Sequence, residues 1–288
     1  MGKRKALILG AKGMLGAELE RVYREDEGYD VTAWDVEDID VTDFASAEEK
    51  IRAVAPSLII NAVAYNAVDA CEEDEEEYRK AIVLNAEVPG FLARIAKDMD
   101  VTLIHYSTDY VFDGESGDGY AEDDKPRPIS KYGTSKREGE KQVIAADGKY
   151  YLIRLSKLFG KPAASAMAKG SFFEKMLEAA KGKTEVTAVD DERSCFTYAP
   201  DLALASKVLE MYAKPYGIYH LVNEGAVTWY EAAGELFRLA GTDVVVKPVS
   251  ADAFPRPAKR PHASVLRNTK FIEFRPYAEA LQEFLENR

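Results

Sequence analysis

A chain that opens with Lys5-Ala6-Leu7-Ile8-Leu9 and turns at once through Gly10-Ala11-Lys12-Gly13-Met14-Leu15-Gly16 has few folds open to it. The apolar run reads as a parallel strand buried on both faces. A helical pattern follows, through Leu19 and Val22. Strand, glycine turn and helix together predict the head of a βαβ sheet. Glycines let the backbone turn tightly and approach a pyrophosphate, and the helix N-terminus favours the negative charge. The spacing is G-x-x-G-x-x-G rather than the commoner G-x-G-x-x-G, and a plain strand-to-helix turn is the competing reading. Its place at the start of a βαβ pattern favours a dinucleotide. Gly10, Lys12, Gly13, Met14, Leu15 and Gly16 are therefore candidate cofactor residues.

The strands that follow keep this pattern. Tyr29 to Trp34 ends at Asp35, roughly twenty-five residues after Gly10, where a carboxylate meets an adenosine ribose. Asp40 and Val41, on the next turn, could border the adenine. Leu58-Ile59-Ile60 is a third strand, and Asn61-Ala62-Val63-Ala64 stands at its C-terminal end, where small residues let a flat cofactor lie close. Tyr65 follows directly. The acidic run Glu72 to Glu77 reads as the start of a helix that continues to about Lys97. Thr102 to Tyr106 is the fourth strand, with Ser107, Thr108 and Asp109 at its end and their hydroxyls expected on the same rim as the glycine turn. Tyr151 to Leu155 is the fifth. Strands separated by helices predict an α/β fold with a doubly wound, Rossmann-type parallel sheet.

Tyr132-Gly133-Thr134-Ser135-Lys136 supplies the chemistry. A tyrosine and a lysine one helical turn apart share a face. Free tyrosine, with a pKa of about 10, is a poor proton donor or acceptor near neutrality. A nearby lysine cation is expected to lower that pKa. Thr108, from a separate strand end, can hold a carbonyl oxygen against the tyrosine. With 16 tyrosines in the chain, roughly one Tyr-x-x-x-Lys arises by chance, so the surrounding order must carry the argument.

Composition closes off other classes. A chain of 288 residues that is 47% apolar can bury a large core, and a net charge of −12 argues against nucleic acid or an anionic membrane as partner. Cys71 and Cys195 lie outside metal-ligand and redox spacings, His105, His220 and His262 are scattered, and no run is long enough for a signal peptide or a membrane span. The cytoplasm is the expected setting.

The second half is less regular. Residues 160–170 read as a mobile loop, and Ser171 to Lys181, Pro200 to Tyr212 and about Pro276 to Leu285 as helices. Gly217 to Val222 and Val244 to Val246 read as strands, and Thr228-Trp229-Tyr230-Glu231 as a capping box.

Taken in order, Gly10-x-x-Gly13-x-x-Gly16, Asn61-Ala-x-Ala, Tyr106-Ser-Thr-Asp-Tyr-Val-Phe112, Tyr132-Gly-x-x-Lys136, Arg154-Leu-Ser156, Thr197-Tyr-x-x-Asp-Leu-Ala203 and Arg260-Pro261 resemble the dTDP-4-dehydrorhamnose reductases, within the extended short-chain dehydrogenase/reductases. The resemblance covers nearly the whole chain. It implies a dinucleotide-binding domain of residues 1–155 with about 196–222. It also implies a smaller, discontinuous sugar-nucleotide domain of about 156–195 and 223–288. It implies NADPH or NADH reducing the 4-keto group of a dTDP-6-deoxy sugar to dTDP-L-rhamnose, in a monomer or homodimer. Tyr132 would donate the proton, and Lys136 would bind the nicotinamide ribose and tune Tyr132. Thr108 would hydrogen-bond the carbonyl. Ser107 and Ser156 would face the cofactor, and Val68, Asp109, Lys157 and Arg260 the sugar nucleotide.

Departures cluster on the sugar side. Lys157 stands where the family commonly has tryptophan, Asp191 to Thr197 lacks the usual glycine and proline, and Asn66 replaces a common threonine. An indole would offer a flat wall to a deoxysugar. Lys157 could instead turn to solvent, leaving Phe159 or Phe196 to fill the space. It could also reach a substrate hydroxyl or phosphate, or pair with Asp191 or Glu192. Of the glutamates that bridge metal-linked dimers in some members only Glu18 matches, so no metal is expected. A non-catalytic dinucleotide-binding subunit and a sugar-nucleotide epimerase are the alternative functions.

Overall fold

In the computed structural model, which describes residues 2–162 and 170–288, the five expected strands are β1 (Arg4–Leu9), β2 (Tyr29–Trp34), β3 (Leu58–Asn61), β4 (Thr102–Thr108) and β5 (Lys149–Leu155). Residues 163–169 of the expected loop lie outside the described residues. Shorter strands follow: β6 (Leu158–Phe159), β7 (Glu185–Val189), β8 (Arg193–Ser194), β9 (Thr197–Tyr198), β10 (Gly217–His220), β11 (Val227–Thr228) and β12 (Val245–Val249). The main sheet runs β10-β5-β4-β3-β1-β2 with every pairing parallel. The chain leaves β1 toward β2 and then crosses to β3 on the other side of β1. That reversal opens a crevice at the C-terminal ends of β1 and β3, where ligands of open α/β sheets collect. Leu9 lies opposite Asn61 there, so Gly10 and Ala62 are neighbours across it.

The sheet is covered on both faces. Ala6 and Ile8 of β1 face one core with α1 (Met14–Arg24) and α8 (Ala199–Met211). Leu7 and Leu9 face the other, with α2 (Phe44–Val54) and α5 (Val88–Asp98). This alternation across two apolar faces is why the strand sequence is continuously hydrophobic.

The helix expected from Glu72 to Lys97 is broken. It forms as α3 (Ala70–Glu73), α4 (Glu75–Ile82) and α5, with one π turn over Val83–Glu87. Asp74 adopts an extended conformation between α3 and α4, and its carboxylate caps α4 by accepting from the Glu76 N–H. The acidic run therefore carries a start signal inside what reads as one helix.

Helix α6 (Lys131–Ala145) leads into β5. Beyond the main sheet, α7 (Phe172–Ala179), α9 (Trp229–Leu239) and α10 (Tyr277–Glu286) enclose an aromatic core that includes Phe159, Phe173, Phe196 and Phe284. The Thr228/Glu231 capping box opens α9 as expected. Strand β7 pairs with β12, β6 with β9, and β8 with β11. Among the described residues no helix is long and apolar enough to cross a membrane, and no group of His, Cys, Asp and Glu is arranged to hold a metal ion. Glu18 instead pairs with Arg21 at 2.8 Å.

Candidate active site

The glycine turn is built for close approach. Gly10 has φ +79°, the left-handed region, and a Cβ there would sit 3.0 Å from the Ala62 carbonyl carbon. A Cβ on Gly16 would lie 2.0 Å from the Gly10 carbonyl oxygen. The turn thus leaves bare backbone at the N-terminus of α1, which fits a pyrophosphate. Asp35 lies against this turn: its carboxylate accepts the Lys12 N–H at 2.7 Å and the Val36 N–H at 2.9 Å. The Lys12 ammonium reaches Glu37 at 2.8 Å, and both side chains are exposed.

Several expected rim residues are used differently. Val41 is buried in the core that includes residues of α2 and α5. The Ser107 hydroxyl points inward and donates to Glu140 at 2.7 Å, and only its backbone is left for a rim contact. Asp40 accepts from the Thr42 N–H and hydroxyl, closing its own turn. Asn61 is buried between β3 and β4, where its amide meets His105 Nδ1 at 3.1 Å and accepts the Val63 N–H. Ala62 is half-buried and Ala64 exposed. Met14 and Leu15 stand in the first turn of α1, Leu15 in the core.

Tyr132 and Thr108 are brought together. Ser130 caps α6 by accepting the Gly133 N–H, which places Tyr132 in the first turn and Lys136 one turn on. Gly133 is required because a Cβ would lie 2.2 Å from the Tyr110 carbonyl oxygen. Tyr132 is buried among Cys71, Ala81, Val68, Tyr65 and Tyr110, which gathers the candidate Val68 beside it. Burial pushes the Tyr132 phenol well up from its ordinary value, and the neighbouring Thr108 hydroxyl opposes that shift.

The expected lowering of Tyr132 by Lys136 is not seen. The Lys136 ammonium donates instead to the Tyr106 carbonyl at 2.7 Å. Burial lowers it to about 8, against the raising effect of Glu140. Desolvation therefore outweighs charge–charge coupling here, and the Tyr132 phenol is neutral at physiological pH.

Asp109 is the anchor of the strand end. Its carboxylate is buried and accepts from Ser156 Oγ at 2.8 Å, Ser264 Oγ at 2.6 Å and Thr108 Oγ1 at 3.1 Å. Burial raises its pKa while the serine hydroxyls pull it back. Ser156 thus serves Asp109 with its hydroxyl. Arg260 forms a two-pronged pair with Asp69, one arm at 2.7 Å.

Two of the courses expected of Lys157 are not taken. It does not turn to solvent, and it pairs with neither acid. Asp191 accepts from Ser250 and Ala251, and Glu192 pairs with Arg256 and accepts Trp229 Nε1–H at 2.9 Å. The ammonium instead sits 3.6 Å from the Trp229 ring centroid, so an indole from α9, rather than Phe159 or Phe196 alone, occupies this wall.

Two residues that pattern alone did not single out matter here. Asn85, in the π turn, accepts the Tyr65 N–H at 2.9 Å and donates to the Tyr65 carbonyl at 2.8 Å and to Ser135 at 3.0 Å. It ties the loop after β3 to α6. Glu140 joins Ser107, Arg154 and Arg137 beneath that helix. Gly139 was the available signal: a Cβ there would lie 2.0 Å from the Asn85 carbonyl oxygen.

The RmlD substrate binding domain family matches residues 4–288. The chain belongs to this family. It is 37% identical over 284 residues to the probable dTDP-4,6-dihydroxy-2-methyloxan-3-one 4-ketoreductase of Streptomyces antibioticus, spanning 96% of this chain and 93% of that relative. It is 34% identical over 280 residues to the dTDP-4-dehydrorhamnose reductase of Escherichia coli K12, spanning 92% and 90%. The crystal structure of dTDP-4-dehydrorhamnose reductase from Bacillus anthracis in complex with NADP superposes with a TM-score of 0.92 at 32% identity, over 99% of this chain and 100% of that one. The family resemblance read from the ordered motifs is borne out, as is the Rossmann-type sheet.

If an adenosine 2′-phosphate binds at this turn, the Lys12 ammonium and the Asp35 carboxylate would act on it in opposition. A carboxylate repels it and an ammonium attracts it, each by about 1 kcal/mol at an exposed site. Less than about tenfold preference between NADPH and NADH is therefore expected. Lys12→Ala should shift the ratio of Kd values toward NADH, measured by fluorescence titration. An unchanged ratio would show that Lys12 does not face the ribose.

Proposed function

We propose that this protein is an NAD(P)-dependent oxidoreductase that reduces the 4-keto group of a dTDP-activated 6-deoxy sugar, using NADPH or NADH. The observation that carries it is Thr108 and Tyr132 converging at the C-terminal end of β4, beside the crevice of the glycine turn. Gly10, Gly13 and Gly16 would hold the pyrophosphate, Asp35 and Lys12 the adenosine ribose, and Lys136 the nicotinamide ribose. The bound dinucleotide supplies a hydride to the carbonyl carbon.

The protein's own part is positioning and proton supply. Thr108 swings its O–H from Asp109 to the carbonyl oxygen, and Tyr132 donates its proton as negative charge grows there. Asp109, held by Ser156 and Ser264, keeps the end of β4 in place. Lys136, one helical turn beyond Tyr132, would steady the nicotinamide ribose. The sugar nucleotide lies between the main sheet and the aromatic core of residues 159–198 and 227–285, against Val68 and Arg260.

Lys136 gives a pH signature. It is cationic below about 8 and loses its charge as pH rises through that value. kcat/KM for the keto sugar should fall above about pH 8, read from initial rates across a pH series; a flat profile well into the alkaline range would remove the cation from the mechanism. The substrate class is tested by loss of NADPH absorbance with a panel of dTDP-, UDP-, GDP- and CDP-4-keto-6-deoxy sugars. Only the dTDP compound should turn over efficiently, and preference for another nucleotide would overturn that assignment.

A further inference from the structure

Lys157 Nζ is buried and has no hydrogen-bond partner among the described residues. An ammonium offers three donors, and a buried one left without acceptors is costly. The Trp229 face beneath it, 3.6 Å from Nζ to the ring centroid, supplies attraction but accepts no directed bond of ordinary strength. The acids near it are already engaged: Asp109 takes three hydroxyls, and Glu192 takes Arg256 and Trp229. Lys157 also has φ +38°, a left-handed conformation that costs a residue with a Cβ. The backbone adopts this left-handed conformation at the residue that carries the unmatched donor.

The position of the donor is informative. Lys157 follows Ser156, whose hydroxyl holds Asp109, and Asp109 in turn holds Thr108. Nζ lies within electrostatic reach of Asp109. Nζ is thus linked through Asp109 to the strand end that carries Thr108, the end toward which a sugar held by Thr108 and Tyr132 would extend. The charges around it balance: Lys157 and Arg256 stand against Asp109 and Glu192. A neutral oxygen completes the wall without adding a net charge, whereas a carboxylate would leave it with a net negative charge.

We infer that Lys157 is a specificity residue whose ammonium donates to a hydroxyl on the sugar carbon next to the reacting carbonyl. This rests on the ketoreductase reading and adds to it a requirement for that hydroxyl. In place of an apolar wall for a deoxysugar face, the pocket presents a donor.

The test compares dTDP-4-keto-6-deoxy sugars with and without the 3-hydroxyl, on the wild type and on Lys157→Met, a side chain of similar length without charge. Affinity for the NADP⁺-loaded protein is measured by calorimetry, and turnover separately. The wild type should bind the 3-hydroxy compound about tenfold to a hundredfold tighter, the span of one hydrogen bond to a charged group. In Lys157→Met that ratio should collapse toward one. Equal wild-type affinities, or an undiminished ratio in the variant, would overturn the assignment. Hydroxyl-dependent affinity without turnover would preserve it and count instead against the ketoreductase reading. If Lys157→Met proves unstable, the wild-type affinity ratio alone decides.

Discussion

Tyr132→Phe is expected to lower kcat by at least about a hundredfold while the affinity for NADPH stays within a few-fold. The ring packs among Val68, Tyr65 and Tyr110 and meets Tyr110 edge-on, with centroids 5.9 Å apart. Phenylalanine keeps that packing and removes one oxygen. Burial holds the phenol protonated, so what is lost is an acid placed against the developing oxyanion. Thr108 can still hold the carbonyl, which is why residual turnover should remain. Steady-state rates and a cofactor titration separate the two effects. Near-wild-type kcat would remove Tyr132 from the mechanism.

Arg154→Met should destabilise the fold by about 3–5 kcal/mol, the usual cost of stranding one member of a buried ion pair. Arg154 is 1% exposed and donates to Glu140 from Nε at 2.8 Å and from a terminal nitrogen at 2.9 Å. Its third nitrogen faces the Glu122 carbonyl and His220. Burial alone would raise the Glu140 carboxyl, but Arg154, helped by Ser107 and Arg137, brings it below its ordinary value. Its folded pKa being depressed, Glu140 contributes stability above the ordinary glutamate range. That contribution is lost as pH falls through the lower folded value. Urea melts should show a lower midpoint at unchanged slope. Adding Glu140→Leu to Arg154→Met should recover part of the loss, because no charge is then stranded. A single variant as stable as the wild type would show that this network does not hold α6 against the sheet.

The order of strands and the catalytic helix were legible because their signals are local. A buried strand followed by glycines has one sensible continuation, and Ser130-Lys131-Tyr132 carries its own cap. What stayed hidden depended on partners far along the chain. Ser107 looks like a rim hydroxyl until Glu140 is folded against it. Val41 does lie on a turn, but that its side chain is buried shows only once the core closes over it. The Tyr132 pKa is not legible from spacing, which shows that Lys136 shares its helical face but not that the Tyr106 carbonyl claims the ammonium. Strand β7 is only faintly signalled, although Val186 and Ala188 alternate with Glu185 and Thr187. Five residues with one alanine make a weak period-two signal. The Lys157 departure was visible, but its partner, Trp229, enters from a helix seventy-odd residues away.

The most direct measurement follows one atom. NADPH carrying deuterium at the transferable position of the nicotinamide C4 is incubated with the protein and a dTDP-4-keto-6-deoxy sugar, and the product is examined by NMR and mass spectrometry. A ketoreductase places that deuterium on sugar C4, one per cofactor oxidised, and Tyr132→Phe slows its appearance about a hundredfold or more. Bound NADPH that is never oxidised, or an altered sugar whose C4 carries no deuterium from the cofactor, would contradict the assignment.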